Sequence, residues 1–210
     1  MPTDDDTTVT WPFDFEVFCT KSNAETPRAR ALLGGALLHD RLGELLRRHL
    51  SFLQDELLGD LKPLGTFSGR TLLARGMDWI VEDARHDLDQ IRKIRNAFAH
   101  HYEPDFSFDD VSIAGRCRGL RTAQAFLTGL DDAATAPDQT PSAPALQEIR
   151  DRFSSPRSRF ELTVLFLLQY LGDPSRDLIS EVHDTAAAFR VRFAGNDEVA
   201  TSAYQHAASN

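Results

Sequence analysis

Residues 82–100 read EDARHDLDQIRKIRNAFAH, and their spacing decides the fold. At the helical period, Ala84, Leu88, Ile91, Ile94 and Phe98 fall in one stripe, which predicts a core-facing helix. The opposite face carries Asp89, Arg92, Lys93, Asn96 and His100. Arg92, Asn96 and His100 stand four residues apart in turn and form one surface column. Arg95 falls at the edge of the apolar stripe, where partial burial is expected to hold it. Glu103-Pro104 closes the helix.

The flanking sequence reads the same way. Thr26 as a cap and Pro27 in the first helical position open a helix from about Thr26 to Leu50. Its Leu33, Leu37, Leu42, Leu45, Leu46 and Leu50 keep helical spacing. Gly34-Gly35 inside it costs about 1 kcal/mol per residue against Ala, which predicts close approach of a neighbouring helix. Ser68 is expected to cap a short helix, Gly69 to Arg75. Further helices are expected from about Ile113 to Leu130, around Ala145 to Phe153, from Ser155-Pro156 to Leu171, and from Ser175 to Phe193. Residues 131–145, DDAATAPDQTPSAPA, hold no large apolar side chain and read as a flexible insert. The domain plan is an N-terminal arm over residues 1–24, one helical domain over 25–194, and a mobile tail over 195–210. Trp11, Phe13, Phe15 and Phe18 make the arm a candidate to dock on the core.

Composition narrows the class. Val, Ile and Thr never alternate with polar residues over a strand's length, and Leu, Ala and Arg are frequent, so the fold class is all-α. A chain of 210 residues can bury one sizeable core without disulfides or metals. The formal charge of −9 argues against general affinity for duplex nucleic acid. Cys19 and Cys117 form no CxxC pair and no HExxH occurs, so neither a metal nor a cofactor is expected. The acidic, polar start MPTDDDTTV is unlike a signal peptide. The most apolar run, Phe160 to Leu171, is interrupted by Glu161, Thr163 and Gln169 and falls short of the roughly 20 residues of a membrane span. A reduced, cytoplasmic protein is the expectation.

The string from His86 to His100 resembles the signature of the mannitol operon repressor (MtlR) family. Separated blocks resemble that family in order: Leu32 to Leu50 with Asp40-Arg41-Leu42-Gly43-Glu44-Leu45-Leu46, then Phe67-Ser68-Gly69-Arg70, Phe106-Ser107-Phe108-Asp109-Asp110, Arg116-Cys117, and Arg157 through Leu171. The likeness covers about residues 25–172. The same core is similar to the HEPN superfamily, whose hallmark is Arg followed by a polar residue and then His, as in Arg95-Asn96 and His100. The resemblance implies a helical bundle, a homodimer, and in HEPN ribonucleases a metal-free RNA-cleaving site between two protomers.

Two readings of Arg95, Asn96 and His100 stand side by side. In one, His100 moves a proton to or from a ribose oxygen, Arg95 stabilises charge on the phosphorane and Asn96 orients the phosphate or the imidazole. Arg92, Lys93, His101, Arg116 and Arg118 then line an RNA or partner surface. In the other, Arg95 pairs with Asp87, Asp110 or Glu44, His100 meets the last carbonyls of its helix and Asn96 holds the following loop. Arg95 and His100 point about 140° apart on an ideal helix, so they converge only if the helix ends early or if two protomers share a site. Arg150, Arg152, Arg157 and Arg159 read as an extension of an RNA path or, more commonly, as a solvated basic face with carboxylate partners, Asp109-Asp110 as a helix cap, and His39 and His49 as ordinary surface residues.

Three functions follow. The resemblance implies a regulatory protein, a transcriptional repressor that works through protein partners rather than direct DNA binding, since nothing resembles a helix-turn-helix. The alternative is a metal-independent endoribonuclease. The third is an interaction module whose dimer buries the 92–100 face.

Overall fold

The computed structural model describes residues 26–50, 57, 64–103, 105–132 and 143–194. Among these there are eight helices and no strand. They are α1 (Pro27–His49), α2 (Phe67–Gly76), α3 (Glu82–His100), α4 (Val111–Arg118), α5 (Arg121–Asp132), α6 (Ala143–Ser154), α7 (Pro156–Gly172) and α8 (Leu178–Ala194).

The signals that start these helices are local. Thr26 accepts the Ala29 amide at 3.2 Å ahead of Pro27, and Ser155 accepts the Ser158 amide at 3.1 Å ahead of Pro156. The cap of α2 is Thr66, which accepts the Gly69 amide at 3.1 Å, rather than Ser68; the helix therefore starts two residues earlier than its sequence suggests. The last helix opens at Leu178, where Asp177 accepts the Ser180 amide at 2.8 Å.

The apolar stripe of α3 is fully buried, as its spacing predicts: Ala84, Leu88, Ile91, Ile94 and Phe98 expose nothing. Each large side chain buried this way contributes about 1.5–3 kcal/mol against exposure. Helix α3 packs on α1, α2, α4, α5 and α7, while α7 packs on α1, α4, α5 and α6, and α8 closes over α5. Along α7, Phe160, Leu162, Val164, Phe166, Leu167, Tyr170 and Leu171 are all buried, so this helix is covered on most sides. Among the described residues no helix is long and apolar enough to cross a membrane.

Gly34 and Gly35 seat α1 between its two neighbours. A Cβ on Gly34 would lie 3.2 Å from the Phe160 ring and Val164 of α7. A Cβ on Gly35 would lie 2.7 Å from Cγ of Arg95 and 3.0 Å from its Cβ, on α3. The expected close approach is therefore present on both sides of α1. Leu33, grouped with the core leucines by its spacing, turns outward and is 46% exposed.

Two expectations are corrected. The single helix expected from Ile113 to Leu130 is two helices with a corner at Gly119-Leu120. The expected insert is helical at both margins, because α5 continues through Asp132 and α6 begins at Ala143; residues 133–142 lie outside the described residues. The arm over 1–24 and the tail over 195–210 lie outside them as well.

Candidate functional site

Helix α3 stays regular through His100 and turns extended at His101, whose amide reaches the Ala97 carbonyl at 3.0 Å. Four contacts fix this end. Arg28 of α1 donates to the His101 carbonyl. The His101 ring stacks on Phe106 at 4.0 Å and sits 3.3 Å from Glu103. Phe106 in turn meets Phe98 edge-on at 4.9 Å.

Arg95 is exposed rather than partly buried. Its aliphatic stem lies on the bare backbone of Gly35, and this carries the guanidinium outward, where Nη1 donates to Asn96 Oδ1 at 3.0 Å. The carboxylates proposed as its structural partners are engaged elsewhere. Asp87 accepts the backbone amides of Arg121 and Thr122, Asp110 accepts the Ser107 amide at 3.0 Å, and Glu44 pairs with Arg41 at 2.6 Å. His100 is also exposed. Since α3 is unbroken, one chain does not bring Arg95 and His100 together.

The cations around α3 divide into two kinds. Arg92 and Lys93 share Asp89, each at 2.7 Å. Burial pushes the Asp89 carboxyl up, but hydrogen bonds from Lys93 and Arg92 outweigh it and hold the group below its ordinary range. Arg121, at the start of α5, pairs with Asp83 at 2.8 Å. Arg95, Arg116 and Arg118 meet no carboxylate among the described residues. Arg116 reaches across to Gln90 at 3.4 Å, so Gln90–Arg116 marks the α4 edge of the exposed α3 strip and Arg95 marks its α1 edge. Arg92, Lys93, Asn96 and His100 lie between. Arg118 ends α4 with its side chain exposed.

The basic face expected from Arg150 to Arg159 is not one surface. Arg150 pairs with Asp131 at 2.7 Å and Arg157 with Glu161 at 2.9 Å. Arg159 is buried, donating to the carbonyls of Cys117 at 3.0 Å and Arg118 at 2.9 Å. Arg70 is buried on the carbonyls of Leu64 at 2.8 Å and His39 at 2.9 Å, and Arg48 holds those of Leu171 and Gly172 at 2.6 Å each. These arginines cap backbone carbonyls of other segments, a role that helical spacing does not reveal. The two histidines read as ordinary are also placed: His39 bonds the Gly65 carbonyl at 3.1 Å, and His49 stacks on Trp79 at 4.2 Å. Burial and the neighbouring Arg70 lower the His39 pKa below its usual 6.5. Asp110 holds the N-cap position of α4 as expected, but its carboxylate braces the preceding loop through Ser107 rather than the helix amides. Among the described residues no three His, Cys, Asp or Glu side chains group as a metal site needs.

The exposed α3–α4 edge can therefore do two things chemically: meet carboxylates or phosphates with unneutralised guanidinium groups, and offer an imidazole at its end. No family model and no curated protein matches the chain. Among solved structures, a chain of the MtlR–HPr complex from Escherichia coli superposes with a TM-score of 0.53 at 20% identity, over 74% of this chain and 96% of that chain. At this identity the shared property is the fold, and the described residues form an all-helical bundle of the MtlR type.

Proposed function

We propose that this protein is a regulatory, protein-binding module that docks an HPr-type partner on the α3–α4 edge. The observation that supports it most is the superposition over 96% of a chain seen in complex with HPr. The charge pattern agrees with it. The whole chain carries −9, yet Arg95, Arg116 and Arg118 face solvent or a neutral amide without a carboxylate among the described residues. An acidic chain with a local cationic edge suits a protein's carboxylates better than a DNA duplex, which rewards an extended basic face. Asn96 and His100 add polar contacts, and Arg92 and Lys93 add charge tempered by Asp89. Repression by this route acts through the partner, so promoter DNA alone is not retarded at physiological salt.

The test is a calorimetric titration of the full chain with HPr from the same cell. Saturable binding weakened about tenfold or more by Arg95→Glu supports the reading. Absence of binding at physiological salt overturns it.

A second reading, a metal-independent endoribonuclease, draws on one observation: Arg95 and His100 both face outward with no carboxylate partner among the described residues. Because α3 is intact, the site needs a homodimer in which His100 of one protomer takes the 2′-OH proton as that oxygen attacks phosphorus. The partner's His100 returns a proton to the leaving 5′ oxygen. Arg95 offsets the phosphorane charge and Asn96 orients the phosphate. Incubation with RNA in EDTA, beside Arg95→Ala and His100→Ala, decides it. Cleavage lost in both variants supports the enzyme, and equal cleavage by all three proteins, or none, removes it.

A further inference from the structure

We infer that the chain's own N-terminal segment, residues 1–24, docks on the exposed strip of α3. The segment carries Asp4, Asp5, Asp6, Asp14 and Glu16 against one cation, Lys21, and interleaves Trp11, Phe13, Phe15 and Phe18 with them. Five carboxylates against one lysine make it −4, close to half of the chain's −9. The strip has the opposite balance. Arg92, Lys93 and Arg95 stand against Asp89 alone, with His100 at the end.

The path of the chain puts the two together. Arg28 donates to the carbonyl of His101, so the start of α1 is tied to the C-terminal end of α3. The segment thus enters α1 at the end of the strip rather than across the molecule. From Asp89 to His100 the strip is about 17 Å long, and 24 residues reach several times that distance when extended. Such a tether gives a high effective concentration, so weak charge pairing is enough to populate the docked state. Tyr102, immediately beyond the strip, is 87% exposed and offers a ring face to the aromatic residues. Docked there, the segment covers Arg95 and His100 and competes with any other acidic occupant. The inference does not rest on the partner reading, because it concerns this chain alone.

Trp11 and Trp79 are the chain's two tryptophans, so Trp79→Phe in the full chain leaves Trp11 as the only reporter. The expected result is a blue-shifted Trp11 emission and an acrylamide quenching constant several-fold below that of a free peptide of residues 1–24. Neutralising the segment (Asp4→Asn, Asp5→Asn, Asp6→Asn, Asp14→Asn and Glu16→Gln together) removes both effects without touching the helical core. Arg95→Glu on the strip weakens them, with the far-ultraviolet dichroism unchanged. Quenching equal to that of the peptide overturns the inference, as does protection that survives both sets of substitutions. Protection that appears only where sedimentation shows a dimer also overturns it, since the occupant is then a second copy.

Discussion

The carboxylate of Asp87 and the guanidinium of Arg159 hold the two sides of one corner. Asp87, on α3, accepts the amides of Arg121 and Thr122 at 2.9 and 2.8 Å, at the start of α5. Arg159, on α7, donates to the carbonyls of Cys117 and Arg118 at the end of α4. Helix ends leave amides and carbonyls unsatisfied, and here two buried side chains from distant segments supply the missing partners. The chain turns sharply at Gly119-Leu120 because both ends of the turn are held.

Asp87→Ala leaves two amides without their acceptor and should cost about 1–3 kcal/mol. Arg159→Met should cost a similar amount, since it strips several carbonyls of a charged donor. Urea midpoints measure both. The double variant should lose less than the sum, because each substitution alone already loosens the shared corner.

Gly35→Ala tests how closely α1 lies on α3. Alanine favours helix by about 1 kcal/mol over glycine. Its methyl would nevertheless meet Arg95 Cγ at 2.7 Å and Arg95 Cβ at 3.0 Å, and the second of these moves only with the backbone. Overpacking of about 1–3 kcal/mol should win, so the variant is less stable in thermal unfolding than the wild type.

His39 should make stability fall on acidification. Its folded pKa lies below the ordinary 6.5, chiefly through burial and then through the cations Arg70 and Arg95, against the Gly65 carbonyl and Asp40. The unfolded chain therefore binds this proton first, and stability present above 6.5 is lost as pH falls toward the folded value. Between about pH 7.5 and pH 5, His39→Gln should lose less stability than the wild type.

Cys117 should be inert in the native protein. Burial pushes its thiol up to about 12, so almost no thiolate is present at neutral pH. In a Cys19→Ser background, a disulfide reagent should label Cys117 only after denaturant is added.

The helices were legible where periodicity and caps agree. The α3 stripe, the Thr26-Pro27 and Ser155-Pro156 starts and the Gly34-Gly35 approach all follow from spacing and local chemistry. The corner at Gly119-Leu120 was not legible, because the residues that make it, Asp87 and Arg159, lie more than thirty positions away in either direction. For the same reason Arg159 read as a surface charge. The exposure of Arg95 is not legible, because an edge position on a helix says nothing about its neighbour, and that neighbour is a glycine whose missing Cβ lets the stem lie flat and the charge face out. The MtlR-type fold is legible in residue blocks taken in order.

The cationic α3–α4 edge is proposed as a protein-docking face. Titrating the full chain with the proposed partner, for the wild type and for Arg95→Glu combined with Arg116→Glu, tests it most directly. The expected result is saturable binding by the wild type and its loss in the double variant, with helicity and melting unchanged. Equal affinity in the two proteins, or no binding by either, would contradict it.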